Sequence, residues 1–145
     1  MNQDPTLRRD PASTVIEPYE PQTLFREWGE EIFFAETARY LGKILKMHAG
    51  TKGGLQYHVE KDETEYLLSG RALLRYDDGD GTLVELDVHP GESVHIPPGA
   101  VHQFEALEDC IFLEASTPHY DDRVRVEAEY GLTDEGGLPT TRAPR

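Results

Sequence analysis

Apolar residues in this chain recur in short runs that are separated by turn-forming residues. Within many of the runs polar and apolar positions alternate, which is the two-residue period of a β-strand with one buried face. Clusters of Gly, Pro and Asp separate the runs and are typical of tight turns. The pattern therefore predicts many short strands in an all-β sandwich or barrel. The predicted strands cover residues 31–35, 40–48, 54–60, 65–69, 71–76, 82–88, 93–96, 102–106 and 110–115.

The two ends of the chain lack this pattern. Residues 1–22 are rich in proline and charge, so we expect an N-terminal arm that is loose or laid over the barrel or a partner subunit. Residues 133–145 are predicted to form a flexible tail. Between them, residues 23–132 are predicted to form one domain, with a turn or two of helix at 123–130 after the acidic pair 121–122.

Composition narrows the class of protein. The 145 residues are 37% hydrophobic, which suffices for a single core. The net charge of −14 opposes binding to nucleic acid or to an anionic membrane, because phosphates require a basic surface. The single cysteine, Cys110, cannot form an internal disulfide, and no signal-peptide or membrane-spanning pattern is seen. These observations predict a soluble cytoplasmic protein, and a homodimer is expected because small barrels leave an edge strand or an apolar outer face to cover.

Candidate metal ligands lie on two segments. Gln56 and His58 share one face of a predicted strand, and a polar turn at 61–62 would allow Glu63 to lie beneath His58. His102 follows the turn at 97–99 and is the candidate for a further ligand. Imidazole, carboxylate and amide groups suit a divalent ion such as Zn, Mn, Fe or Ni. A packed polar cluster without metal is the alternative.

These two segments resemble the motifs of the cupins, whose motifs read G-x5-H-x-H-x3,4-E-x6-G and G-x5-P-x-G-x2-H-x3-N. The first motif is matched at His58, Glu63 and Gly70, and the second is matched at Gly91, Pro97, Gly99 and His102. Gln56 stands where the first histidine is expected. The resemblance implies a double-stranded β-barrel, or jelly roll, that binds metal through Gln56, His58, Glu63 and His102.

A finer resemblance is to the cupin part of type II mannose-6-phosphate isomerases, which also carry glutamine before the histidine. It rests on Trp28-Gly29, Lys43, residues 55–58, Glu63, Pro90-Gly91, Ile96-Pro97, residues 99–102, Glu114, residues 121–125 and residues 129–131. It implies a metal-dependent aldose–ketose isomerase with the same four ligands. That family usually carries arginine where this chain has Gln103, which argues against a phosphorylated substrate.

Two further residues are candidates for catalysis. Lys43 shares a strand face with Leu45 and Met47, so it would either lie in the barrel near the metal and hold an anion or extend from an edge into solvent. Glu65 has the same strand parity as Glu63, so it would be either a general base in the cavity or a solvated carboxylate at the rim.

The sequence supports a metal-dependent isomerase or epimerase that acts on a sugar, sugar acid or sugar phosphate. The ion would polarise a carbonyl group while Glu65 and Lys43 assist proton transfer next to it. An iron-dependent dioxygenase is the first alternative, because iron can use a site of two histidines and one carboxylate. The second alternative is a module that binds a small molecule, such as a sugar, without turnover.

Overall fold

The computed structural model describes residues 16–132 as two antiparallel β-sheets. Eleven strands follow one another along the chain, and a single turn of 3-10 helix, Glu127–Tyr130, comes after the last strand. The strands are β1 (Gln22–Arg26), β2 (Gly29–Glu36), β3 (Leu41–Met47), β4 (Gln56–His58), β5 (Glu63–Ser69), β6 (Ala72–Asp77), β7 (Leu83–Val88), β8 (Ser93–Ile96), β9 (His102–Ala106), β10 (Cys110–Ser116) and β11 (Arg123–Arg125).

Each sheet combines strands that are distant in sequence. The first sheet has the order β1-β2-β3-β10-β5-β8, and the second has the order β11-β4-β9-β6-β7. In the first sheet β10 lies between β3 and β5, and this register places Glu114 opposite Lys43 on one side and opposite Glu65 on the other. Cross-strand partners point to the same face of a sheet. The three charged side chains therefore form a row on the inner face.

The hydrophobic core lies between the two sheets. It is built from alternate residues of both sheets, because inward positions along a strand recur every two residues. Phe104 and Phe112 pack across the core with their ring centroids 5.0 Å apart. The buried cluster consists of Met47, Leu67, Ala72, Leu74, Val88, Ala106, Cys110 and Phe112.

The inner face changes from apolar to charged along β5. Glu63, Glu65 and Leu67 are all buried on this face, whereas Thr64 and Tyr66 between them are half-buried. The same change occurs on β10, where Phe112 is followed by Glu114 at the next inward position. A polar cavity therefore lies directly against the hydrophobic core.

The predicted all-β jelly roll is confirmed, and every predicted strand overlaps an observed one. Two strands were not predicted, β1 and β11. β11 occupies the start of the segment where helix was expected, because Arg123–Arg125 pairs with β4, so only residues 127–130 are helical. Within residues 16–132, no helix has the length and apolar character that a membrane crossing requires.

The domain limits proposed from the sequence stay a prediction. Most of the expected arm and all of the expected tail, residues 133–145, lie outside the described residues. The described part of the arm, from Ile16 to Pro21, has no regular secondary structure, and the first strand begins at Gln22.

Candidate metal centre and cavity

Three of the predicted ligands meet inside the barrel. The Nε2 atoms of His58 and His102 lie 3.5 Å and 3.3 Å from the same carboxylate oxygen, Oε1 of Glu63. All three side chains are buried. They come from β4, β9 and β5, so both sheets contribute to the group. This set of residues is called the donor triad below.

The turn before β9 ties the two histidine segments together. Residues 97–100 form a turn in which the Ala100 N–H donates to the Pro97 carbonyl oxygen at 3.2 Å. The N–H of Gly99 in this turn donates to the His58 carbonyl oxygen at 2.7 Å. The turn also orients His102, because its Nδ1 lies 2.9 Å from the Ala100 carbonyl oxygen. The backbone therefore holds both imidazoles in relation to one another.

Asp122 orients the His58 imidazole through a contact with its Nδ1 atom. Its Oδ1 lies 3.1 Å from His58 Nδ1, and its Oδ2 accepts the N–H groups of Glu60 at 2.8 Å and of Lys61 at 2.7 Å. Burial raises the pKa of Asp122, but these two N–H groups and His58 lower it by more than burial raises it. The pKa therefore lies below its usual value. The acidic pair expected to cap a helix thus contributes a residue that supports the donor triad.

The donor triad fits a divalent metal ion. The Asp122 carboxylate and the Ala100 carbonyl only accept hydrogen bonds, so each Nδ1 carries the ring hydrogen and each Nε2 presents a lone pair. The Glu63 carboxylate is also an acceptor, so three acceptor atoms face one another. Such a group favours a cation at its centre. Zinc, manganese, iron and nickel all use these ligands.

Gln56 lies on the same wall. It lines the cavity and is the cross-strand partner of His102 in the pairing of β4 with β9. Cross-strand partners share a face, so the structure brings Gln56 to the side of the donor triad. All four residues that the sequence predicted as ligands thus line one cavity.

Lys61 is a cavity residue that the sequence analysis placed in a polar turn. It is 5% exposed, and its Nζ lies 3.0 Å from Glu63 Oε2 and 3.0 Å from Glu114 Oε2. Burial lowers the pKa of Lys61, but these two carboxylates raise it more, so the ammonium stays charged. Burial raises the pKa of Glu63, but the positive charge of Lys61 and other partners lower it more, so the pKa lies well below its usual value. The result is an ionised ligand carboxylate.

Glu65 is a cavity residue and not a solvated rim carboxylate, which was the alternative left open. It is 3% exposed, and among residues 16–132 its Oε2 has no hydrogen-bond partner. Burial and the negative charges of Glu114 and Glu63 raise the pKa of Glu65 well above its usual value. The pKa of Glu114 is raised by burial but lowered more by Lys61 and other partners. One carboxyl oxygen from each of Glu63, Glu65 and Glu114 lies within 4.8 Å of the other two.

Lys43 is buried in the barrel and does not extend into solvent. Its Nζ lies 2.7 Å from Glu31 Oε1 and 3.6 Å from Glu114 Oε2, and it is 4.8 Å from the centroid of the Phe33 ring. Glu31 also accepts a hydrogen bond from Arg26 at 2.8 Å. The sequence analysis did not identify Glu31. The signal available in the sequence was its position on β2 with the parity of the inward-facing residues.

The cavity has a volume of about 490 Å³, which suits a small molecule such as a sugar. Leu45, Met47 and Phe104 form its apolar floor, and Trp28 and Tyr120 also line it. Gln103 does not line it. Its amide donates to the Gly53 carbonyl oxygen at 2.9 Å and accepts from Arg75 at 3.2 Å, on the other face of β9 from His102. Gln103 therefore gives no reason to exclude a phosphorylated substrate.

A comparison with known proteins decides the family. Residues 43–116, about half of the chain, match the family model of the cupin domain. The chain belongs to the cupin family. The match covers the inward-facing row of β3, β5 and β10 as well as all four predicted ligands of this cupin.

Three relatives of this cupin are enzymes. It is 29% identical to the mannose-1-phosphate guanylyltransferase RfbM of Salmonella typhimurium over 79% of the chain and 24% of the relative. It is 33% identical to a glucose-6-phosphate isomerase of Thermococcus gammatolerans over 67% of the chain and 49% of the relative. It is 26% identical to an acireductone dioxygenase of Bacillus thuringiensis over 58% of the chain and 42% of the relative. The cupin therefore spans less than half the length of each of these proteins.

Solved structures share the fold of this cupin. The capsular polysaccharide assembling protein CapF of Staphylococcus aureus superimposes with a TM-score of 0.66 at 22% identity, over 75% of this chain and 35% of CapF. Oxalate decarboxylase of Bacillus subtilis, described with Mn(II) centres, also superimposes with a TM-score of 0.66, at 17% identity over 86% of this chain and 41% of the other.

Proposed function

We propose that this cupin binds one divalent metal ion through His58, Glu63 and His102, with the amide oxygen of Gln56 as a fourth ligand. The convergence of three acceptor atoms in a buried site supports the proposal. The Mn(II) centres named for the similar decarboxylase also support it. The metal identity is open among Zn, Mn, Fe and Ni. A bound ion would supply Lewis-acid polarisation of carbonyl and hydroxyl oxygens of a substrate.

Elemental analysis of protein purified without a metal-affinity tag tests this site. His58→Ala and His102→Ala should each lose most of the bound metal, because each removes an imidazole ligand. Gln56→Ala should lose less, because an amide oxygen is a weaker, neutral ligand. His89→Ala, which removes an exposed histidine outside the cavity, is the matched control. Full metal occupancy in both histidine variants would refute the site.

The reaction that this cavity supports best is proton transfer next to the carbonyl group of a sugar, sugar acid or sugar phosphate. The observation that carries the proposal is the position of the Glu65 carboxyl group. It is buried in the cavity wall next to the donor triad, and its Oε2 has no protein partner in the described part of the chain. The sugar-related names of the guanylyltransferase and the isomerase among the relatives agree with such a substrate.

The roles of the residues follow from their contacts. Glu65 would exchange a proton with the substrate carbon. The neighbouring Glu114 would in turn exchange a proton with Glu65. Lys61 holds Glu63 and Glu114 in place through its two ion pairs. Lys43 would stabilise negative charge that develops on a substrate oxygen, since its ammonium lies in the cavity wall.

Deuterium exchange measured by NMR tests this reaction. In deuterated water without oxygen, the metal-loaded enzyme should place deuterium on the carbon next to the carbonyl of one member of a panel of aldoses, ketoses, uronates and their phosphates. Glu65→Gln should keep its metal and lose most of the exchange, whereas Glu85→Gln, an exposed control on β7, should not change it. Absence of exchange on the whole panel would refute the isomerase or epimerase.

The second candidate is an iron-dependent dioxygenase. It is favoured by the similarity to acireductone dioxygenases and by a donor triad of two histidines and one carboxylate. Oxygen uptake by the iron-loaded protein with a small organic acid or a diketone, together with no deuterium exchange on sugars, would select it. Calorimetric binding of a sugar without either reaction would select a non-catalytic binding module.

We also propose a homodimer of this cupin. β1 and β8 are the edge strands of the first sheet, and Phe25 on β1 is 77% exposed, so an edge and an apolar side chain are left to cover. Light scattering after size-exclusion chromatography tests it, and a monomer at micromolar concentration would refute it. A cytoplasmic location and the absence of nucleic-acid and membrane partners stay predictions from the sequence.

A further inference from the structure

Arg123 is a cavity residue to which neither the sequence nor the proposed reaction assigned a role. It is the first residue of β11 and the cross-strand partner of His58, so both side chains point to the same face. The cavity is lined by Arg123 and His58 together. The Nε atom of Arg123 is buried, and it has no hydrogen-bond partner among residues 16–132. A buried N–H without an acceptor is destabilising, so a ligand that supplies an acceptor oxygen would be favoured here.

The charged groups near Arg123 pair with other residues or are exposed, so Arg123 can bind an additional anion. The charged groups that interact with it include Arg26, Glu31, Asp121 and Arg125. Glu31 already pairs with Arg26 and Lys43, and Arg125 pairs with Glu127. Asp121 is exposed, so solvent screens its charge.

Arg26 adds a second positive charge to the cavity near Arg123. It lines the same cavity and repels Arg123, since two guanidinium groups that approach each other carry like charge. A bound anion would relieve this repulsion. A guanidinium group also presents a planar set of N–H donors that matches the oxygens of a carboxylate or a phosphate.

We infer that Arg123 binds an anionic oxygen group of the substrate, a carboxylate or a phosphate, next to the donor triad. The inference rests on the proposed function and narrows it, because it selects sugar acids or sugar phosphates over neutral sugars. Arg123 is the cross-strand partner of His58. One small molecule could therefore bind Arg123 with its anionic group and direct its other oxygens toward the donor triad. A cavity of about 490 Å³ accommodates a molecule of this size.

The test measures binding separately from turnover. Isothermal titration calorimetry of the metal-loaded full chain uses D-glucuronate and D-gluconate as carboxylates, D-glucose 6-phosphate and D-mannose 6-phosphate as phosphates, and D-glucose as the neutral probe. At least one anionic probe should bind, and it should bind at least about tenfold more tightly than D-glucose, because a charge-assisted pair with a guanidinium in the cavity wall is strong. The class that binds identifies the anion as a carboxylate or a phosphate.

Variants assign the effect to Arg123. Arg123→Gln should weaken binding of that probe by at least about tenfold, and Arg123→Lys should weaken it less, because lysine keeps the charge but not the planar donors. Arg71→Gln is the matched control, since Arg71 is an exposed arginine paired with Asp87 on the outside of the barrel. Metal content and circular dichroism show that each variant is folded.

Defined outcomes overturn the inference. They are equal affinity of Arg123→Gln and the wild type for the anion, equal affinity of the wild type for D-glucose and the anions, or no binding of any anionic probe. Deuterium exchange is read in parallel on the same samples. An anion site that depends on Arg123 without exchange would refute the proposed reaction alone, and exchange on a sugar with no dependence on Arg123 would refute the anion site alone.

Discussion

Asp122→Asn is the substitution that tests most directly how the structure supports the donor triad. The Asp122 carboxylate accepts one hydrogen bond from the His58 imidazole and two from backbone N–H groups. Asparagine has nearly the same shape but only one oxygen. That oxygen can serve the two N–H groups, and then the NH₂ group of the amide faces His58 Nδ1. The imidazole would have to move its hydrogen from Nδ1 to Nε2, which blocks the atom that points into the donor triad.

The magnitude follows from the contacts. Loss of a residue that orients a ligand histidine reduces metal affinity by about 10–100-fold, or about 1.4–2.8 kcal/mol. The metal-free protein should also lose stability. Two hydrogen bonds change from a charged to a neutral acceptor, and the bond to His58 reverses its direction and loses its charged partner. Together these changes cost about 2–4 kcal/mol.

The assay has three measurements. Zinc titration against a competing chelator gives the affinity, urea unfolding of the metal-free protein gives the free energy of unfolding, and long-range ¹H–¹⁵N NMR of the histidine rings gives the tautomer of His58. The matched control is Asp62→Asn, because Asp62 also contacts a histidine, His95, at 2.7 Å but on the protein surface. Wild-type zinc affinity in Asp122→Asn, with the hydrogen still on Nδ1 of His58, would refute this reasoning.

Three further substitutions test the fold. Glu31→Gln should destabilise the protein by about 3 kcal/mol at neutral pH, because it removes the nearer of the two carboxylates that pair with the buried Lys43 ammonium. Burial raises the pKa of Glu31 but Lys43 and other cations hold it below its usual value, so the difference from wild type in urea unfolding should be lost as pH falls through that low pKa. Phe112→Ala should cost about 3–5 kcal/mol in the same assay, because Phe112 is fully buried in the core. Gly70→Ala should cost more than about 2 kcal/mol, because φ is +89° and the new Cβ would lie 2.2 Å from the Asp109 carbonyl oxygen.

Each of these substitutions has a control on the same protein. Glu85→Gln breaks an exposed ion pair and should change stability by less than about 1 kcal/mol at any pH. Leu86→Ala removes a half-exposed side chain and should cost less than Phe112→Ala. Gly79→Ala has a similar positive φ, +103°, but no atom within 4 Å of the new Cβ, so it should show the backbone cost of about 1 kcal/mol without the steric clash. Equal losses in a substitution and its control would contradict the mechanism given for that substitution.

Much of the fold was predictable because strand formation is a local property. The two-residue alternation and the Gly, Pro and Asp turns identified the strands from 31 to 115. β11 was not identified, because Arg123–Arg125 is short and is stabilised as a strand only by pairing with β4, which is about 65 residues earlier in the chain. The local acidic pair before it favoured a helix cap, and the tertiary contacts of Asp122 outweighed that preference.

The sequence by itself determined the all-β architecture, and spacing along a strand placed the candidate ligands Gln56 and His58 on one face. The candidates Glu63 and His102 came from a predicted turn and from the resemblance to the cupin motifs. Only the tertiary structure decided which charged residues are buried together. Lys61, in what reads as a polar turn, lies between Glu63 and Glu114, and Arg123 lies beside His58. The physical reason is that burial of a charge is compensated by partners distant in sequence, so its environment depends on how the two sheets pack and not on its neighbours along the chain.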